Sequence, residues 1–107
     1  MRGKRAKDKA SSPGVETVVV LRLYISGNAP NSVRAVANLE AICKQYLQDY
    51  KVEIVDVFEQ PVRALADGVL VTPSLAKVYP APVATVVGNL SDRSSVLLAL
   101  GIEGRAR

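Results

Sequence analysis

Apolar residues recur along this chain with a two-residue period in some runs and a helical period in others. Thr17 to Ile25, TVVVLRLYI, sets Val18, Val20, Arg22 and Tyr24 against Val19, Leu21, Leu23 and Ile25. Both faces are largely apolar, which predicts a central strand covered on both sides. Ser26 to Asn31 reads as a turn into a helix. Asn28 is expected as the N-cap, and Pro30 fits the first turn, where its missing N–H costs little. Val33, Val36, Leu39, Cys43, Tyr46 and Leu47 then recur at helical spacing as far as about Gln48 and are expected to face the sheet. Arg34, Asn38, Lys44 and Gln45 fall elsewhere. Tyr50 to Phe58, YKVEIVDVF, predicts a second strand. A helix between two strands implies a right-handed βαβ unit with parallel strands. Asp56 reads as a strand-end residue bonding nearby backbone N–H groups, in preference to a buried acid.

Proline and glycine punctuate the second half. Pro61 to Asp67 predicts a short helix ended by Gly68. Pro73 lacks a donor and belongs at a strand edge or at the first residue of a strand. Pro80-Ala81-Pro82 breaks the run that follows, and Val83 to Val87 forms a further strand ending at Gly88. Ser91 or Asp92 is expected to cap a last helix that buries Val96, Leu97 and Leu100. Gly101 and Gly104 predict fraying beyond it. The order is β-α-β-α-β-β-α, an α/β class with a four-stranded mixed sheet.

Composition adds limits. The 107 residues suffice for one small domain with a single core. Charge is uneven: residues 1–17 hold five basic and two acidic residues, and the remainder is nearly balanced at nine and eight. Residues 1–16 therefore read as a disordered basic tail, 17–103 as the folded domain and 104–107 as a short tail. Only five aromatic residues and a balanced domain argue against nucleic-acid binding. Cys43 is alone and histidine is absent, so a CxxC pair and a thiol–imidazole pair are excluded and zinc lacks its usual ligands. No catalytic, cofactor-binding or metal-binding residue is expected. No apolar run approaches the roughly 20 residues needed to span a bilayer, and the N-terminus lacks a signal-peptide core. A cytoplasmic location without membrane contact is the expectation.

The element order, with a proline just before the third strand, resembles the thioredoxin fold. Where thioredoxins carry a WCGPC-type motif, this chain has Gly27-Asn28-Ala29-Pro30-Asn31, with Asn28 and Asn31 in the cysteine positions. An amide cannot attack a disulfide, which requires a thiolate. A closer resemblance is to the KaiB family. It runs through LRLYISGNAPNSVRAVANLE, Val55-Asp56-Val57, Pro61, Thr72-Pro73-Ser74-Leu75-Ala76-Lys77, Pro80, Pro82, Gly88 and Leu90-Ser91-Asp92-Arg93. Ala84, Thr85, Asn89, Ala99 and Gly101 depart from the pattern.

The resemblance implies a non-enzymatic regulator of a circadian-clock or clock-related timing or stress system. It implies binding to a KaiC-like hexameric ATPase, a KaiA-like protein as a further partner, and homo-oligomers. It also implies a metamorphic family, with an alternative C-terminal fold from about Pro61 onward. A sensor domain of the SasA kinase type shares this fold and is an alternative, as is a redox-inactive thioredoxin-fold module with another partner. For partner contact the expected residues are Arg34, Asn38, Lys51 and Lys77. Gly27, Pro30, Pro73, Pro80, Pro82, Gly88, Ala99 and Gly101 are expected to shape the backbone or the fold switch. By the resemblance to thioredoxin folds, the Thr72–Pro73 bond is expected to be cis. Ala99, a better helix former than the family's frequent glycine, and Gly101, a C′ residue just beyond Leu100, lead to the expectation that the thioredoxin-like form is the resting one.

Overall fold

A computed structural model describes residues 18–102. The expected tails at 1–16 and 104–107, with Gly104, lie outside the described residues. β1 (Val19–Ile25), α1 (Pro30–Tyr46), β2 (Tyr50–Asp56), α2 (Pro61–Ala66), β3 (Ser74–Tyr79), β4 (Ala84–Val87) and α3 (Arg93–Leu100) follow in the expected order. The sheet order is β2-β1-β3-β4, so β1 is central. β1 and β2 are parallel, whereas β1–β3 and β3–β4 are antiparallel. The sheet is therefore mixed.

The core lies on one face of the sheet. Leu21 and Leu23 of β1 and Leu75 of β3 pack there with Ala35, Leu39, Ile42 and Cys43 of α1 and with Val96, Leu97 and Leu100 of α3. Period-2 alternation sends Arg22 and Tyr24 to the opposite face, beneath α2. That face is joined by polar contacts described below.

Two details of α1 differ from expectation. Ala29, not Asn28, is the N-cap, and no side chain caps the helix. Proline disfavours the helical region for the residue before it, so Pro30 holds Ala29 extended, at φ −53° and ψ 142°. The buried stripe is Ser32, Ala35, Leu39, Ile42 and Cys43, and Val33 is exposed. Small residues carry part of the contact, so the stripe sits one position away from the one that large apolar residues alone predict.

Helix α3 begins at Asp92, whose Oδ1 accepts the Ser95 N–H. It ends at Gly101, a left-handed C-cap at φ 78°. A left-handed Gly101 just beyond Leu100 is as its residue type predicts, whereas buried Ile102 corrects the expectation of fraying immediately beyond the helix. The Ile102 N–H bonds the Leu97 carbonyl, and its side chain is buried in the core. Pro73 immediately precedes β3, and the Thr72–Pro73, Tyr79–Pro80 and Ala81–Pro82 bonds are all cis.

Candidate partner-binding surface

One end of the sheet gathers the β1–α1 loop, the end of β2 and the entry to β3. Gly27 adopts φ 49°, and a Cβ there would meet the Phe58 ring at 3.4 Å. Asp56 closes this corner. Its Oδ1 accepts the Gly27 N–H at 3.2 Å and the Phe58 N–H at 2.9 Å, so it is a strand-end structural acid. Ser32 Oγ accepts the Ser26 N–H, and the hydroxyls of Ser26 and Thr72 hydrogen-bond beside Pro73.

Thiol chemistry is absent from this corner. Asn28 is exposed, and Asn31 uses its Oδ1 to accept from Arg34 and Asn89. Cys43 sits in the core on α1, where burial pushes its thiol up to about 11. It is neither exposed nor ionised at neutral pH. Among the described residues no group of His, Cys, Asp and Glu is placed to hold a metal ion.

A second polar joint ties the β4–α3 loop to α1. Asn38 Nδ2 donates to the Asn89 carbonyl at 2.8 Å, while Asn89 Oδ1 accepts the Ser91 N–H. Leu90, between them, has φ 66°, a region that costs a non-glycine residue roughly 1–2 kcal/mol. Its buried side chain and the bonds of Asn89 offset that cost.

The third polar group lies under α2. Glu53 of β2 accepts a bidentate pair from Arg63 of α2, at 2.6 and 2.8 Å, and a bond from Arg22 of β1 at 3.0 Å. Tyr24 Oη donates to Asp67 at 2.7 Å. The guanidinium of Arg63, with that of Arg22, holds the Glu53 carboxyl down at about 2, from an ordinary 4.5. A carboxyl depressed on folding stabilises the fold above its ordinary pKa and loses that contribution as pH falls through the folded value. The joint is therefore expected to stay closed above about pH 5 and to loosen between there and pH 2. NMR titration of Glu53, read alongside hydrogen exchange in α2, checks this.

The expected contact residues do not form one patch. Arg34 is exposed on α1, and Asn38 lies beside it, half-buried against Asn89. Lys51 is exposed on β2, at the opposite edge of the sheet from β4. Lys77 corrects the expectation of an exposed contact. It pairs with Leu21 in register, faces the core and is only 5% exposed. Its Nζ lies 3.9 Å from where a Gly101 Cβ would stand, at the C-terminus of α3. Alternation from Leu75 to Lys77 places both on the core face, a signal present in the sequence. The α2 joint was not expected, because Arg22, Glu53 and Arg63 come from three separate elements.

The fold and this corner define a thioredoxin-like domain in which amides stand at the dithiol positions. Its backbone resembles the N-terminal domain of Synechococcus elongatus SasA, with a TM-score of 0.67 at 19% identity, covering 94% of this chain and 97% of that one. It also resembles mitochondrial thioredoxin 3 of Saccharomyces cerevisiae, with a TM-score of 0.63 at 14% identity, over 84% and 81% of the two chains. At such identities the likeness is one of fold. Residues 22–102 match the KaiB domain. The chain is also 48% identical over 85 residues to circadian clock protein KaiB3 of Synechocystis sp., covering 78% of this chain and 83% of that protein. The chain belongs to the KaiB family.

Proposed function

We propose that this protein is a non-enzymatic regulator, working in the cytoplasm, that docks on a KaiC-like hexameric ATPase in a clock or clock-related timing system. The observation that carries the reading is the KaiB match over residues 22–102, in a chain whose only thiol is buried. A buried lone thiol leaves no dithiol exchange to such a surface, and binding is the role proposed for it. A KaiA-like protein is a further partner under this reading. The thioredoxin-like form is the binding form, and the segment from about Pro61 onward is the part that rearranges in a metamorphic cycle.

Arg34 supports a specific test. It is exposed, it lies beside the joint between α1 and the β4–α3 loop, and its only hydrogen bond among the described residues is to Asn31 on its own helix. Arg34→Glu is expected to weaken the complex about tenfold, the scale of one charged contact at an interface rim. Biolayer interferometry with the cognate ATPase and nucleotide reads this directly. Wild-type protein that fails to bind under every nucleotide condition would reject the proposed function. Equal affinities for wild type and variant would remove Arg34 from the interface and leave the function standing.

A further inference from the structure

The sheet has two edges, and only one of them is guarded. β2 forms one edge and carries Lys51, Glu53 and Asp56 along its length. β4 forms the other, as Ala84-Thr85-Val86-Val87, with no charge, no proline and no break in its register with β3. Among the described residues no strand lies along its outer side. Proteins ordinarily blunt such an edge with a charge, a proline or a bulge, because its unpaired N–H and C=O groups are a template for another strand. The lack of charge extends well beyond β4. Residues 68–90 contain one charged side chain, Lys77, and that one is turned into the core. Thr85, Val83 and Val87 are exposed.

An open cleft of about 190 Å³ lies where β4 ends and the chain turns toward α3. Val86, Val87, Leu90 and Val96 give it apolar walls, and Asn89 and Asp92 are part of its polar lining. Those two polar side chains are already engaged. Asn89 accepts the Ser91 N–H and donates to Asn31, while Asp92 accepts from Ser95. The cleft therefore suits an apolar side chain and offers little to a charged one.

We infer that β4 is a docking edge for an extended segment of another protein, which adds to the sheet as a further strand and sets one branched apolar side chain in the cleft. In such pairing the main-chain hydrogen bonds supply affinity and a pocket beside them supplies selectivity. The missing charge defines the segment. It is uncharged over its paired residues, since a Lys or Glu laid on this surface would lose water without meeting a counter-charge. A second copy of the chain does not meet these terms. In a two-fold antiparallel pairing with Ala84 opposite Val87, Val83 falls opposite Gly88 and Pro82 opposite Asn89. Beside the cleft the copy would then present a proline, which has no N–H to give.

NMR titration of the isotope-labelled full chain with three blocked peptides tests this. They are acetyl-Leu-Thr-Val-Thr-Val-Thr-amide, the same peptide with glycine in place of leucine, and acetyl-Leu-Thr-Lys-Thr-Glu-Thr-amide. The first should bind with shifts confined to residues 83–96, and the other two at least about tenfold more weakly. Thr85→Lys/Val87→Lys places charge on the open edge at two exposed positions and should weaken the first peptide by a similar factor. Its amide spectrum checks that it folds, and the comparison of peptides on the wild type stands without it. No shift at millimolar peptide would overturn the inference, as would shifts centred on β2 or equal binding of either altered peptide. Shifts at 84–87 that follow protein concentration without peptide would also overturn it, giving the edge to a second copy. The proposed function is tested without peptide and stands or falls separately.

Discussion

Leu23→Ala is expected to cost about 2–5 kcal/mol of folding stability. Leu23 is fully buried in the central strand, opposite Ile54 on one side and Leu75 on the other. Shortening it removes apolar area from the core and leaves a cavity that α1 and α3 cannot close without breaking their own contacts. Total stability for a domain of this size is on the order of 5–15 kcal/mol, so one such loss brings the variant near its unfolding threshold. Urea unfolding is the measurement, with a lowered midpoint and an unchanged slope as the expected pattern. Val62→Ala, at an exposed position, should fall within about 0.5 kcal/mol of wild type. A cost below about 1 kcal/mol for Leu23→Ala would place the core elsewhere.

Gly101→Val carries the second large effect, expected at about 2 kcal/mol or more. The left-handed region costs an L residue roughly 1–2 kcal/mol, and a β-branched side chain is worse placed there. The new side chain would also stand beside the Lys77 amine, since the Cβ position is 3.9 Å from Nζ. The damage should be directional. Gly101 ends α3 and turns the chain so that Ile102 enters the core. Hydrogen exchange should therefore rise first in α3 and around Ile102, ahead of β1 and β2. Gly68→Ala is the control for backbone strain alone, because φ there is 76° and nothing lies within 4 Å of the added Cβ. Uniform loss of protection in Gly101→Val would mean that α3 does not act as a separable unit.

Much of the architecture was legible in the sequence because its signals are local. Alternation gave the central strand, the Pro80–Pro82 break gave the β3–β4 turn, and Asp92 caps α3 as its residue type and place predict. The readings that failed depended on neighbours. Val33 looked like core because it is large and β-branched, while the helix in fact buries the smaller Ser32 and Ala35. Lys77 reads by residue type as an exposed partner contact, although its alternation with Leu75 puts it on the core face. The α2 joint was illegible because Glu53 meets residues 31 positions before it and 10 after it. The exposed Val62 and Leu65 of α2 are the same fact seen from outside. Residue type alone would have turned Val62 and Leu65 inward, and the polar joint turned them out.

Under the proposed function, the thioredoxin-like form of this chain is the one that holds a KaiC-like ATPase. Backbone NMR of the labelled full chain, recorded free and then with the unlabelled ATPase and nucleotide, tests it in one experiment. Helical shifts for residues 93–100 and strand shifts for 84–87 are expected in the free protein. Those signals should then broaden as the protein joins the hexamer, with no second set of shifts replacing them. Free protein with non-helical shifts at 93–100 would contradict the account. So would a spectrum that does not change when the ATPase is added.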